Sequence, residues 1–415
     1  MTRQQDERCL LIVGASTRAA AFSALRAKWQ PVCIAKFLDE DLKAVARVLT
    51  WPRTLRQVAT LAKSLPECPW LYTGAVENHP ALIDAISQSR PLWGNPGDVV
   101  RAVRDPFRVA RVLQDHDIPA LELRPAHDPP RPDGTWLVKP LQGAGGCGIA
   151  AWQGSRCDQR VARTAFFQRR VDGASLSAVF VANGAEAKRA GVTWQLIGVP
   201  SSQSAPFAYC GSIGPVVGAG PDDTDTNGQG GDARSTLHAR TACPATIEPD
   251  AMLPREAFRQ IERIGSILAS TFRLRGLFGC DLMWDGRTVW LTEVNPRYTA
   301  SVEVLEYAYG KALLGSNETV SEPVQPRRFV GKQVLYAPRR LRVPPLQVLQ
   351  TNAQSDAVPL VADLPEPASV VRAGEPICTV FADGPTLQTC WARLQDHVEW
   401  VRGELGAAAR VAPIS

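Results

Sequence analysis

Along the first hundred residues, short unbroken apolar runs alternate with stretches whose apolar positions recur three or four apart. Residues 9–16 (CLLIVGAS) predict a strand leaving through a tight turn, 17–29 (TRAAAFSALRAKW) a helix, and 31–37 (PVCIAKF) a second strand. Helical periods follow at 39–49 (DEDLKAVARVL), 55–65 (LRQVATLAKSL) and 78–89 (NHPALIDAISQS), with a strand at 70–74 (WLYTG). Such alternation over residues 1–100 implies an α/β domain with a mainly parallel sheet. Only Gly14 of a dinucleotide fingerprint is present. Residues 14–18 (GASTR) therefore read either as a plain strand-to-helix turn or as an anion-holding helix start.

Beyond residue 100 the pattern changes. A helix is expected over 105–117 (DPFRVARVLQDHD), then a proline-rich linker, a strand carrying Lys139, a glycine-rich turn and a returning strand at 148–152 (GIAAW). After a break near 154–160 (GSRCDQR), strands are expected at 165–171 (AFFQRRV), 175–183 (SLSAVFVAN), 193–203 (TWQLIGVPSSQ) and 208–216 (AYCGSIGPV). Their alternation and turn residues suggest an antiparallel sheet. Residues 218–235 contain no large apolar side chain and read as a flexible loop. A long helix at 254–273 then leads to a hairpin, 277–285 and 288–297, turning at Asp285-Gly286. From about 327 a compositionally different tail, with strands near 332–339 and 368–384 and a final amphipathic helix, reads as a small β-rich module.

Composition adds limits rather than direction. A chain of 415 residues, 45% hydrophobic and 21% charged, can bury several cores, and two to four domains are expected. No run reaches the roughly 20 apolar residues of a membrane span, and the opening apolar stretch is too short for a signal peptide, which makes the cytoplasm the expected location. The ten cysteines show no C-x-x-C pair, so they read as reduced, small apolar residues rather than a zinc site or disulfide framework. A net charge of +5 spread along the chain does not imply nucleic acid, and Arg339, Arg340 and Arg342 between prolines read as a solvated loop.

Two segments carry candidate chemistry. In residues 136–149 (WLVKPLQGAGGCGI), Gly143, Gly145, Gly146 and Gly148 allow close backbone approach to phosphates and Lys139 supplies a neutralising charge. The lysine precedes the glycines, the reverse of a P-loop, and the loop returns as a strand, so the arrangement is a flap over phosphates; a structural hairpin is the plain alternative. In GCDLMWDGRTVWLTEVNPR, Glu293 and Asn295 lie two apart on one strand and can meet Asp281 across the hairpin. Two carboxylates and an amide suit Mg²⁺, which keeps waters and shares phosphates. Arg297 continues the same face as a permanent charge, whereas Asp285 belongs to the turn. The plain alternative is a polar hairpin with ordinary surface charges.

Together LVKPLQGAGGCGI, FFQRRVDG, CDLMW and LTEVNPR resemble, in order, the motifs of the ATP-grasp superfamily of carboxylate ligases, over roughly residues 100 to 310. The nearest resemblance is to ATP-dependent carboligases related to biotin carboxylase. It implies a mixed α/β and α+β fold: a Rossmann-like pre-ATP-grasp domain (1–100), a two-lobed ATP-grasp core (101–326, with a nucleotide flap lobe at 118–170 and a metal lobe at 171–326), and a small β-rich C-terminal module (327–415). ATP and Mg²⁺ (or Mn²⁺) are the implied cofactors. Lys139 would contact the α- and β-phosphates, and Gly143, Gly145, Gly146 and Gly148 would cover the γ-phosphate. Gln168 would lie near the adenine amino group, Arg169 would offer its carbonyl, Val171 its N–H, and Asp172 would approach the ribose. Asp281, Glu293 and Asn295 would hold the metal, and Arg297 would stabilise the transferred phosphoryl group.

One departure concerns the earlier nucleotide lysine of many family members. The segment DPFRVARVLQDHDIP fits its spacing but has Pro106 in its place, with Arg104 and Arg108 on either side as substitutes. The implied reaction joins a small-molecule carboxylate to an amine or thiol through an acyl phosphate, releasing ADP and phosphate. Arg18 and Glu303 are candidate substrate contacts, with a structural role the equal alternative for both. Alternatives are a bicarbonate-using carboxylase and a catalytically silent ATP-binding regulator. The resemblance also implies a homodimer; nothing implies a nucleic-acid or membrane partner.

Overall fold

Leu10, Leu11, Ile12 and Val13 are fully buried because the strand they form, Cys9–Gly14, is covered on both faces. In the computed structural model, which describes residues 8–154, 164–218, 252–315, 325–343 and 357–411, this strand is central in a four-stranded parallel sheet. The order is Arg47–Thr50, Gln30–Ala35, Cys9–Gly14, Trp70–Tyr72. Helices Arg18–Arg26, Leu55–Lys63 and Pro80–Ser87 pack around it, the second starting at a capping box between Thr54 and Gln57. The helix expected over 39–49 is a single turn, Glu40–Lys43, followed by the edge strand Arg47–Thr50. The reason is tertiary: Gln30–Ala35 offers a free strand edge, and Val48 and Leu49 pack from that edge against two separate cores.

After the helices Gly97–Val103 and Pro106–Asp115, a small antiparallel sheet forms in the order Leu123–Pro125, Ala165–Arg169, Trp136–Pro140, Ala150–Ala151. Trp136, Trp152 and Phe167 form its own core. The glycine-rich turn hangs between its last two strands.

An eight-stranded antiparallel sheet dominates the rest. Its order is Val289–Asn295, Arg275–Trp284, Ala174–Asn183, Ala187–Ile197, Tyr209–Gly214, Phe329–Tyr336, Pro376–Gly384, Val361–Ala362. The strand expected at 193–203 begins at Ala187 and ends at Ile197, where Pro200 opens a short 3₁₀ turn because it cannot donate to the ladder. The C-terminal strands extend this same sheet, so the tail from 327 shares a hydrogen-bonded ladder with the preceding lobe. Helix Arg255–Phe272 covers one face, its Gly265 letting Phe180 come so close that a Cβ there would lie 2.2 Å from the ring. The flexible loop expected at 218–235 lies, from 219 onward, outside the described residues, as do Cys157 and Cys243.

Helix Ala300–Tyr309 on the other face is buried from Ser301 to Ala308 because it is wedged between the N-terminal sheet and the C-terminal strands. Its two acids face inward. Glu303 pairs with Arg18 and, at 3.0 Å, with Lys332, while Arg18 Nε donates to Asp363 at 2.9 Å. Glu306 takes Ser23 and Arg26. Arg18 and Glu303, read from the sequence as substrate contacts, are thus ion-paired to each other with side chains 2% and 0% exposed. They join the first domain, the main sheet and the C-terminal strands.

Candidate active site

The hairpin of the large sheet pairs Asp281 with Glu293 and Gly279 with Asn295 across the strands. A register shift just after Asp281 re-aims the strand at this point. Asn295 Nδ2 donates to Asp281 Oδ2 at 2.9 Å, and Gln195 Nε2 from the neighbouring part of the sheet donates to Asp281 Oδ1 at 2.8 Å. Burial, reinforced by Glu293, pushes the Asp281 carboxyl up to about 6. Arg297 leaves the end of the same strand and is held on three sides. Its Nε donates to Glu77 Oε1 at 2.7 Å, its Nη2 to Asn295 Oδ1 at 3.0 Å and its Nη1 to the Tyr298 carbonyl at 3.1 Å. Burial opposes its charge, but Glu77, with Glu293 and Asp281, more than offsets this and raises its pKa.

Lys139 approaches from the small sheet. Its Nζ donates to Gln168 Oε1 at 3.1 Å and to the Thr292 carbonyl at 3.2 Å, while Gln168 Nε2 donates to the same carbonyl at 3.3 Å. This ties the lysine strand to the carboxylate hairpin about 150 residues later. Burial lowers the Lys139 pKa, with Glu293 and Asp281 opposing the shift. The cleft between the two sheets is lined by apolar side chains, among them Val109, Leu113, Leu121, Phe166 and Leu291, and by Arg104, Lys139, Gly143, Gly146, Gln168 and Glu293. Apolar walls suit a planar base, and cations beside glycine backbone suit phosphates.

Three of the glycines, Gly145, Gly146 and Gly148, have positive φ of +61°, +78° and +80°. The turn is docked onto the large sheet's side: Tyr209 N–H donates to the Gly145 carbonyl at 3.0 Å, and a Cβ on Gly146 would lie 1.9 Å from the Phe207 carbonyl oxygen. Gly146→Ala is therefore expected to hold the turn off its seat. A displacement of about 1 Å costs on the order of 100-fold in turnover. Steady-state kinetics beside a thermal melt checks this: kcat should fall with the melting midpoint nearly unchanged, since the turn lies outside the main cores.

The structure thus gathers Lys139, Gly143, Gly146, Gln168 and Glu293 on one cleft, with Asp281 opposite Glu293 on the facing strand, Asn295 bonded to Asp281 and Arg297 bonded to Asn295. Arg169, Val171 and Asp172 are not among the cleft-lining residues: the Arg169 guanidinium lies 5.5 Å from the Trp136 ring centroid, and Asp172 accepts from Arg170 Nε at 3.0 Å. Three contributors have no local signal in the sequence, namely Glu77, Asn78 and Gln195. Their partners lie 26 to 220 residues away, so only tertiary contact marks them.

Among the described residues no group of three or more His, Cys, Asp or Glu side chains is placed to hold a metal ion. Two carboxylates and an amide oxygen could not enclose a cation alone, but they fit a hard ion such as Mg²⁺ that keeps waters and shares phosphate oxygens. The Asp281 carboxyl, raised by burial and by Glu293, belongs to a close acidic pair that positive charge would stabilise. No helix among the described residues is long and apolar enough to cross a membrane.

Comparison with known proteins agrees with this geometry. The family model of the ATP-grasp domain matches residues 103–224. An uncharacterized protein of Methanocaldococcus jannaschii is 25% identical over 124 residues, 29% of this chain and 30% of that protein, so the match spans under a third of the relative. Among solved structures, the biotin carboxylase domain of Hydrogenobacter thermophilus 2-oxoglutarate carboxylase, determined with MgADP and bicarbonate, superposes at TM-score 0.64 and 10% identity over 94% of this chain and 89% of that one. Phosphoribosylamine–glycine ligase of Thermotoga maritima reaches 0.63 at 16% identity over 94% and 96%, and L-amino acid ligase of Bacillus licheniformis 0.63 at 13% over 94% and 97%. At these identities the likeness establishes the shared fold.

Proposed function

We propose, from the premise that this chain carries an ATP-grasp domain and shares its fold with biotin carboxylase and the glycine and amino-acid ligases, that it is an ATP- and Mg²⁺-dependent ligase joining a small carboxylate to an amine or thiol. The observation carrying this reading is the junction at the Thr292 carbonyl, where Lys139 and Gln168 of the glycine-turn sheet meet the hairpin of Asp281, Glu293, Asn295 and Arg297.

A carboxylate is a poor acyl donor because its leaving group would be an oxide. Conversion to an acyl phosphate, with ADP released, makes it attackable. In this reading Asp281, Glu293 and Asn295 hold Mg²⁺, which when bound neutralises phosphate charge. Lys139 sits where it can contact the phosphates nearer the base, and Gln168 fixes its ammonium in place. Arg297, clamped by Glu77, Asn295 and Tyr298, presents a preorganised charge to the transferred group. The glycine turn, seated on Phe207 and Tyr209, excludes water that would hydrolyse the intermediate.

Incubating the full chain with ATP, Mg²⁺ and pools of carboxylates and amines tests the reading. ADP release that requires both pools is expected, and Glu293→Gln is expected to abolish it. AMP as product would overturn the acyl phosphate. ATP binding with no ADP from any combination would overturn the ligase and leave the silent regulator.

A further inference from the structure

The segment Arg104-Asp105-Pro106-Phe107-Arg108 carries two arginines flanking a proline where the sequence leaves a phosphate-binding charge unassigned, and the structure separates them sharply. Arg108 turns away, its guanidinium 5.5 Å from the centroid of the Phe272 ring, and is not among the residues lining the cleft. Pro106 lines the cleft but carries no charge and, at the helix start, no N–H. Asp105 caps the helix by accepting from Phe107 N and Arg108 N, so two of the N–H groups nearest the cleft are already used. Arg104 alone of this segment brings a cation into the cleft, beside Lys139, Gly143, Gly146 and Glu293.

How Arg104 is held matters as much as where it lies. Its side chain is 11% exposed. It contacts three separate parts of the molecule: Asn78 Oδ1 at 3.2 Å, the Gly143 carbonyl at 3.4 Å and Glu293 Oε1 at 3.5 Å, with Glu77 Oε1 at 4.0 Å. Each is at the long end of hydrogen-bonding distance, and none is a paired fork. Arg297 next to it is the opposite case, with its Nε 2.7 Å from the same Glu77. Asn78 makes the shortest of these contacts and orients the Arg104 guanidinium, while its contacts to the glycine turn and the hairpin carboxylate are long enough to exchange. A planar group with five donors in that position matches phosphate oxygens better than it matches one carbonyl and one distant carboxylate.

We infer that Arg104, aimed by Asn78, is the second cationic contact for the β- and γ-phosphates of the bound nucleotide, exchanging its Gly143 and Glu293 contacts for phosphate oxygens. This rests on the nucleotide reading of the cleft. Because Lys139 is tied to Gln168 at the base-ward end and Arg104 to Glu293 at the metal end, the two cations divide the polyphosphate between them. Arg104 also touches the glycine turn directly, so nucleotide and turn compete for one guanidinium. Occupying the far phosphates then frees the Gly143 carbonyl.

The experiment is calorimetric titration of the full-length wild type, Arg104→Ala, Arg104→Gln and Arg108→Ala with ATP, ADP and AMP in the presence of Mg²⁺. Loss of one charge-assisted phosphate contact is expected to weaken ATP about 10-fold or more in both Arg104 variants, ADP by less, and AMP by under about 2-fold. Arg104→Gln keeps a polar amide and most of the side-chain volume without the charge, and so covers the case in which the alanine variant misfolds. Arg108→Ala should bind all three nucleotides as the wild type does. Equal weakening of AMP and ATP would show that Arg104 only shapes the cleft, and ATP affinity unchanged in Arg104→Gln would also overturn the assignment while leaving the nucleotide reading intact. A wild type that binds none of the three would overturn the nucleotide reading itself, and the assignment with it.

Discussion

Arg297→Lys is expected to lower kcat for ATP-dependent ligation by roughly 10²–10³-fold, the range found when one preorganised donor at a developing charge is lost, with a much smaller change in KM for ATP. The charge is kept in this substitution and the geometry is not. Arg297 uses Nε, Nη1 and Nη2 in three directions at once, toward Glu77, Tyr298 and Asn295. A single ammonium cannot span them. Glu77 Oε2 is already buried without a hydrogen-bond partner, so a lysine that fails to reach Oε1 leaves the carboxylate facing only Arg104, 4.0 Å away. Separate measurement of kcat and KM decides the matter: equal rises in KM with kcat untouched would mean that Arg297 contributes ordinary binding rather than stabilisation of the transferred group.

The second large effect falls on stability. Arg18→Met removes the cation that faces Glu303, Asp363 and Asp41 from within the first helix, leaving Lys332 as the remaining partner of Glu303. Breaking a buried ion pair from one side costs about 3–5 kcal/mol, mostly through the stranded opposite charge. A fall of that order in unfolding free energy is the expected result at neutral pH. Its pH dependence has a definite sign. Despite burial, Arg18 and Lys332 hold the Glu303 carboxyl below its ordinary value, and Arg18 does the same for Asp363. A depressed folded-state pKa contributes stability that is present above the unfolded value, near pH 4, and is lost as pH falls through the folded value. The gap between wild type and Arg18→Met should therefore be full at pH 7 and shrink below about pH 4. Denaturant melts across that range test this, and a gap that is small at pH 7 or grows in acid would contradict the ion-pair account.

Much of the framework was legible in linear order. The apolar run Leu10–Val13 implied a strand of a mainly parallel sheet, and it is an inner strand of one, fully buried. The spacing of Glu293 and Asn295 placed both on one face, and the register opposite Asp281 and Gly279 follows from that period of two. Where reading failed, a competing tertiary partner explains it. Residues 39–49 have a helical period, yet the helix stops at Lys43 and the stretch from Arg47 became a strand because an open sheet edge was available. The tail from 327 has its own composition, yet its strands entered the existing ladder, since an unpaired edge is more costly than a shared sheet.

The sequence by itself determined which residue types could meet phosphate and metal. A lysine ahead of four glycines, and a carboxylate two positions before an amide and four before an arginine, are local patterns set by covalent spacing and backbone period. Only the tertiary structure decided which charges face the cleft and which are spent on holding the molecule together. Arg104 and Arg108 are four residues apart and alike in the chain, but one meets Glu293 and the other Phe272. Arg18 and Glu303 looked available for substrate, and burial paired them with each other. Glu77 gave no signal at all, because the guanidinium that it orients lies 220 residues further on. Charge is a property of the residue, whereas its partner, its solvation and so its function are set by what the fold brings within about 4 Å of it.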